Sequence, residues 1–410
     1  MIDFLTVVFL VYTFISIYFI VGFTLIYLPN RKRFLEIPKS KKNYKLSMVV
    51  PCFNEASTIG QTIETLLALD YKYLKKIIVV DDRSTDNSYE IMKKYAKMYP
   101  QVMAVQTPKN TGNAAGAKNY GAKFVDTELI GFTDADSFPK KDSVRKMVGF
   151  FDDQKIGAVT ASILVKNRIN LLSVLQAIEY KIVAFTRKLL GIIEAIYVTP
   201  GPLAIYRKSA FDKVGWFDES NLTEDIEITW AIVNAGYNVE MSLTSEVYSV
   251  APENWTTWFK QRLRWNVGGI QTLFKYIGKF GKKGMLGSFI LPFFILTWCI
   301  SLFGIFILLY RIIRTIIVRY LSTIYSVQAQ TAVLRLSEIN LTPNVLVFFG
   351  VLTLILSVIF TLFALFYAKE QDFKKYGFLP ILGFMFVYLL AYPFILVTSL
   401  YKYIRKTGKW

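Results

Sequence analysis

The chain has 410 residues, 53% hydrophobic and 16% aromatic, with a formal net charge of +18. It has no histidine and two cysteines, Cys52 and Cys299; this excludes His-based catalysis and His/Cys zinc sites and leaves any metal to oxygen ligands. Cys52 lies beside a strand-like run and Cys299 in an apolar stretch, so no disulfide is expected. The positive charge suits an anionic membrane leaflet or an anionic substrate such as a nucleotide. Its basic residues are scattered and no nucleic-acid-binding motif is present, which argues against a nucleic-acid partner.

Residues 4–28 carry no charge and are long enough to cross a hydrocarbon core of roughly 30 Å, so 1–30 reads as a transmembrane helix. Asp3, the length of the run and the lack of a small-residue cleavage site disfavour a cleaved signal peptide. "RKR" (31–33) and "KSKK" (39–42) follow, and the positive-inside rule places the next domain in the cytoplasm.

Residues 45–253 read as one α/β domain. "KLSMVVPCF" is a strand ending at Pro51, "STIGQTIETLLALD" a helix with a Ser or Thr cap, and "KKIIVVDD" a second strand. "STDNSYEIMKKYAKMY" is a helix, "VMAVQT" a strand, "GNAAGAKNYGAKFV" a small-residue helix and "ELIGFTDAD" a fourth strand. This alternation predicts a mostly parallel, Rossmann-like sheet with crossover helices, and such sheets bind ligands beyond the carboxyl ends of their strands. Asn54, Glu55, Asp81, Asp82, Asp134 and Asp136 gather there. "GNAAGAKN" (112–119) has Ala117 and Asn119 where a phosphate loop needs Gly and a hydroxyl; its small residues serve either helix packing or ligand contact.

In "FTDADS" an extended backbone would point Asp134 and Asp136 to one side. Two like charges so close call for a cation, and oxygen ligands suit Mg2+ or Mn2+; a solvated acidic turn is the plainer alternative. "TED" (223–225) opens the helical run "TEDIEITWAIVNAGY" with Thr223 as cap. Glu224 and Asp225 then serve either the helix dipole or, in a chain without histidine, general-base catalysis.

Residues 254–285 read as an amphipathic interfacial region containing "WTTWFKQRLRW". On a helix Gln261, Arg264 and Trp265 share a face and Arg262 points elsewhere. That face suits a diphosphate beside a sugar, whereas Trp255, Trp258 and Lys260 read as a skirt at the lipid headgroups. The C-terminal region, 286–402, has apolar stretches at 287–310, 345–368 and 378–400. Arg311, Arg314 and Arg319 follow the first; Lys402, Arg405 and Lys406 follow the last. Three full crossings would leave that basic tail outside, so 376–401, with Pro380 and Pro393, reads as re-entrant or broken.

Taken in order, "PCFNE", "VVDDRSTDNS", "DAD", "TED" and "QRLRW" resemble the motifs of the processive family-2 glycosyltransferases: poly-N-acetylglucosamine, hyaluronan and cellulose synthases. The match runs from about residue 45 to 270, and residues 156–180 with "GWFDESNLTEDIEITWAI" look closest to the poly-N-acetylglucosamine branch. The resemblance implies a GT-A fold and a UDP-sugar donor, with a growing polysaccharide as acceptor. Asp81, Asp82 and Glu55 would hold the nucleoside side. Asp134 and Asp136 would serve donor and metal, with Asp136 the more direct ligand and Mg2+ or Mn2+ as cofactor. Asp225 would be the base, with Glu224 beside it in the catalytic pair. Gln261, Arg264 and Trp265 would close over diphosphate and acceptor, and Gly201 would lie near the acceptor.

Arg83 departs from the pattern where Gly is common, Pro200 and Pro202 flank Gly201, and one apolar span precedes the domain where many relatives have two. The resemblance implies an inverting membrane synthase, multi-pass in the plasma membrane, contacting lipid and coupling synthesis to export. Transfer of one sugar to a polyprenyl phosphate is the alternative enzyme, which "QRLRW" argues against. A nucleotide-binding membrane scaffold is the non-enzymatic one, which Asp225 argues against.

Overall fold

The computed structural model describes residues 4–330, 345–367 and 379–406. A first helix, α1 (Phe4–Phe34), leads to β1 (Leu46–Cys52), α2 (Ile59–Leu67), β2 (Leu74–Asp81), α3 (Ser88–Met98), β3 (Val102–Gln106), α4 (Ala114–Ala122) and β4 (Leu129–Phe132). There follow β5 (Ser137–Pro139), α5 (Arg145–Val148), β6 (Ile156–Val165), α6 (Leu171–Ile192), β7 (Ala204–Arg207), α7 (Lys208–Lys213), α8 (Glu224–Asn234) and β8 (Asn238–Ser249). The membrane-side helices are α9 (Trp255–Tyr276), α10 (Leu291–Gln328), α11 (Val345–Tyr367), α12 (Leu379–Gly383) and α13 (Ala391–Arg405).

The described strands form one sheet in the order β3-β2-β1-β4-β7-β6-β8-β5. β3, β2, β1 and β4 are parallel, as the alternation predicts. Beyond β4 the sheet turns mixed: β7 is antiparallel to β4 and β6, and β8 is parallel to β6. The chain leaves β1 towards β2 on one side and returns at β4 on the other, so the topological switch point lies between β1 and β4.

β1 and β2 are buried on both faces, which is why they read as continuous apolar runs rather than alternating ones. Met48, Val50, Ile77 and Val79 pack with α2, whereas Val49, Ile78 and Val80 pack with α4. The latter core also takes in Tyr27 and Phe34 of α1 and Ala364 of α11, so the membrane-side helices are packed onto the sheet domain. β1 runs through Pro51 to Cys52, one residue beyond the predicted stop.

Three described segments are long and apolar enough to cross a membrane: Thr6–Phe34, Leu286–Gln328 and Leu379–Arg405. Val351–Phe366, within α11, is a shorter apolar helix. α10 continues unbroken past the apolar stretch 287–310 to Gln328, so Arg311, Arg314 and Arg319 are helical. No proline or glycine interrupts 311–328, which removes the usual stop signals. The segment read as broken is so: a π-helical turn, Phe384–Tyr388, separates α12 from α13. Residue 368 of the second apolar stretch, 376–378 of the third and the tail from 407 lie outside the described residues.

Candidate active site

A cavity of about 670 Å³ opens beyond the carboxyl ends of β1, β2 and β4. Its strand-end wall carries Glu55, Asp82, Asp134 and Asp136; Glu224, Asp225, Gln261, Arg264 and Trp265 close it from α8 and α9. Gly201 also lines it. Asp81 does not: successive strand residues face opposite ways, and the fully buried Asp81 is bound by Gln106 Nε2 at 2.8 Å and by the Ser84 amide. Asp81 thus fixes the loops, and Asp82 is the one that lines the cavity. Asp82 accepts from the Thr107 and Thr111 hydroxyls, each at 2.8 Å. Arg83 sits at φ +64°, the left-handed conformation that suits glycine. Its guanidinium donates to Gln106 and to the Pro108 carbonyl, holding the turn.

Asp134 and Asp136 do line one wall, but not by strand alternation. β4 ends at Phe132, and the chain turns at Ala135–Asp136 with the Ser137 amide donating to the Asp134 carbonyl at 3.1 Å. Burial, then the charges of Asp134 and Glu55, push the Asp136 carboxyl up to about 7. A carboxylate so crowded favours either a proton or a cation. Among the described residues no group of three or more His, Cys, Asp or Glu side chains forms a metal cage. Two carboxylates on a cavity wall do fit an Mg2+- or Mn2+-type ion, which takes its remaining ligands from water and substrate phosphates. Gly201 lies directly against Asp134: a Cβ there would sit 2.5 Å from Asp134 Oδ2, so any larger residue would displace that carboxylate.

Lys118 is the residue that sequence reading missed. It belongs to the "GAK" of the false phosphate loop, which drew attention to its glycines rather than its lysine. Its almost fully buried ammonium bonds Glu224 Oε1 at 2.8 Å and lies 3.6 Å from Asp134 Oδ1, tying the two acidic motifs together. Burial opposes its charge, but Glu224 and Asp134 outweigh that and raise its pKa. The small-residue helix serves both uses: Ala114, Ala117 and Lys118 line the cavity, and Gly121 lets the helix approach Val49 and Val80.

Asp225 stands in the first turn of α8. Burial, then the charge of Glu224, raises its carboxyl to about 6, while Lys118 and Arg264 pull it down. Glu224 goes the other way: burial is overcome by Lys118, and its pKa is lowered. The adjacent carboxylates are thus separated electrostatically, one held as an anion and the other poised near neutrality. Thr223 occupies the cap position but makes no side-chain cap bond; its hydroxyl donates to Asn221. Gly268 of α9 packs on this turn, where a Cβ would lie 2.2 Å from Thr223 Oγ1.

Arg262 points away from the cavity, as expected, and from its fully buried position organises the motif around it. It donates to Glu179 Oε2, to the Gln261 side-chain oxygen and to the Tyr392 hydroxyl, and lies 4.1 Å from the centroid of the Trp265 ring. Tyr388, at the end of the π-helical turn, and Tyr392 of α13 both donate to Glu179 of α6. Trp258 is not a membrane skirt: it is buried and its indole N–H donates to Tyr388 at 2.6 Å. Trp255 and Lys260 are exposed.

A mixed α/β sheet carrying an acidic, strand-end cavity, with apolar helices packed on it, defines a membrane-associated enzyme of the GT-A glycosyltransferase class. Residues 47–215 match the family model for glycosyl transferase family 2. The poly-beta-1,6-N-acetyl-D-glucosamine synthase of Staphylococcus epidermidis is 30% identical over 286 residues, covering 68% of this chain and 69% of the relative. The chain belongs to glycosyl transferase family 2. The synthase of the same name from Staphylococcus aureus (strain COL) is 31% identical over 268 residues; the match spans 64% of each chain. The mannosyltransferase PcManGT from Pyrobaculum calidifontis, solved with GDP-Man and Mn2+, shares the fold with a TM-score of 0.58 at 17% identity, over 97% of this chain and 99% of its own.

Proposed function

We propose that the protein is a multi-pass plasma-membrane synthase that polymerises N-acetylglucosamine from its UDP-sugar into a β-linked polysaccharide, working from the cytoplasmic face. The observation that carries this reading is the meeting of Asp82, Asp136, Asp225, Arg264 and Trp265 in one cavity. The names of the staphylococcal relatives support the sugar. The basic residues in the last turn of α1, Arg31, Lys32 and Arg33, support the orientation.

In this reading Asp82 and Glu55 bind the nucleoside side of the donor, and Asp134 and Asp136 hold Mg2+ or Mn2+. When bound, that ion neutralises charge on the diphosphate and the departing UDP. Arg264 offers paired N–H donors to phosphate oxygens, with Gln261 beside it. Trp265 stacks on the acceptor sugar. Asp225 accepts the proton of the acceptor hydroxyl as that oxygen attacks the anomeric carbon, so an α-linked donor yields a β-linkage with inversion. Glu224, held as an anion by Lys118, keeps Asp225 basic. The membrane-side helices packed on the cavity wall supply a route for the polymer.

Membranes carrying the protein, incubated with a panel of labelled UDP-sugars and analysed for product size, test the proposal. Long polymer from UDP-N-acetylglucosamine is expected. A lipid bearing a single sugar, or no transfer, overturns it.

A further inference from the structure

α6 sends Glu179, Val183 and Arg187 into the cavity, a line at i, i+4 and i+8 that spans about 12 Å along the helix. Its two charged ends differ. Glu179 is bonded to Arg262, Tyr388 and Tyr392. Arg187 is 6% exposed, its Nε is buried without a hydrogen-bond partner, and among the described residues its guanidinium has no hydrogen bond or ion pair. The other deeply buried cations near the cavity, Lys118 and Arg262, each have a carboxylate. A buried charge left unpaired is costly, so a guanidinium kept this way at a cavity wall calls for a ligand that brings oxygen to it.

We propose that Arg187 is an acceptor-specificity residue, donating to the amide carbonyl oxygen of an acylated amino sugar at the chain end and rejecting the free-amine form. Arg187, Tyr197 and Asp225 line the same cavity, so a sugar presenting its hydroxyl to Asp225 shares that space with the guanidinium. An anionic group there would meet Asp225 in its basic form as well as Asp134, Asp136 and Glu55. An ammonium would be repelled by Arg187 and would pair with Asp225, occupying the base. A neutral carbonyl satisfies the guanidinium without either conflict. The inference rests on the proposed function, since it takes the acceptor to be a chain of amino sugars.

The full chain in lipid nanodiscs, with UDP present, can be titrated with two β-1,6-linked glucosamine trisaccharides that differ only in whether the terminal amine is acetylated. The wild type is expected to bind the acetylated one roughly ten- to a hundredfold more tightly. Arg187→Gln should lose that preference while keeping its UDP affinity, which also reports an intact fold; Arg187→Lys should keep part of it. Equal affinity of the wild type for the two sugars, or a preference undiminished in Arg187→Gln, overturns the proposal. So does tighter binding of a polyprenyl phosphate that Arg187→Gln abolishes. Intact trisaccharide preference without polymer synthesis from UDP-N-acetylglucosamine would support the role of Arg187 and break the polymerase reading instead.

Discussion

The two walls of the cavity are built differently. The strand-end wall is local: Glu55, Asp82, Asp134 and Asp136 follow strands of a parallel sheet within a few residues, and the switch point gathers them. The helical wall is long-range: Arg262 of α9 meets Glu179 of α6 and Tyr392 of α13, partners 83 and 130 residues away. The first wall collects unbalanced negative charge, as the raised carboxyl of Asp136 shows. At the centre of the second, Arg262 and Glu179 pair and act as a scaffold. Charges that meet ligand can be left in tension, whereas charges that hold helices together must be satisfied.

The largest expected effect falls where the walls meet. Asp225→Asn should reduce transfer by about 10²–10⁴-fold while sparing UDP binding; near-normal turnover would remove Asp225 from its role. Next, Arg262→Met strands Glu179 among two tyrosines, and thermal unfolding of the purified protein should show a loss of about 3–5 kcal/mol. An unchanged transition would mean that the helical wall does not depend on its buried pair. Gly268→Ala should cost about 1–3 kcal/mol by overpacking and lower turnover, because the added carbon presses on the Thr223 turn that carries Asp225. Turnover unaffected by the extra methyl would argue against tight α8–α9 coupling.

The smallest effect is on pH. Burial and Glu224 raise the Asp225 carboxyl to about 6, so its basic form, and hence turnover, should fall as pH drops through about 6. Lys118 lowers that pKa, so Lys118→Met should move the acid limb to higher pH. A limb that stays in place would show that Lys118 acts on Asp134 alone.

The same contrast explains what the sequence disclosed. The parallel half of the sheet and the strand-end carboxylates were legible because both follow from short-range periodicity and from ordered motifs. The mixed half was not, since its antiparallel pairings run through β5 and β7, which have three and four residues and carry little pattern. Asp134 and Asp136 were paired correctly for the wrong geometric reason, a turn replacing an extended strand. Asp81 and Asp82 could not be told apart until the strand's facing was fixed. In the sequence Lys118 reads as part of a failed phosphate motif, Arg262 as merely off the functional face and Trp258 as a headgroup residue. Their partners, Glu224, Glu179 and Tyr388, lie 106, 83 and 130 residues away, where no spacing rule reaches.

Two-substrate steady-state kinetics on Asp82→Asn and Trp265→Ala test the division between the walls most directly. The account predicts that Asp82→Asn raises the KM for the UDP-sugar and leaves that for the acceptor oligosaccharide unchanged, and that Trp265→Ala does the reverse. If both substitutions raise the donor KM alone, the helical wall is not an acceptor site and the account is wrong.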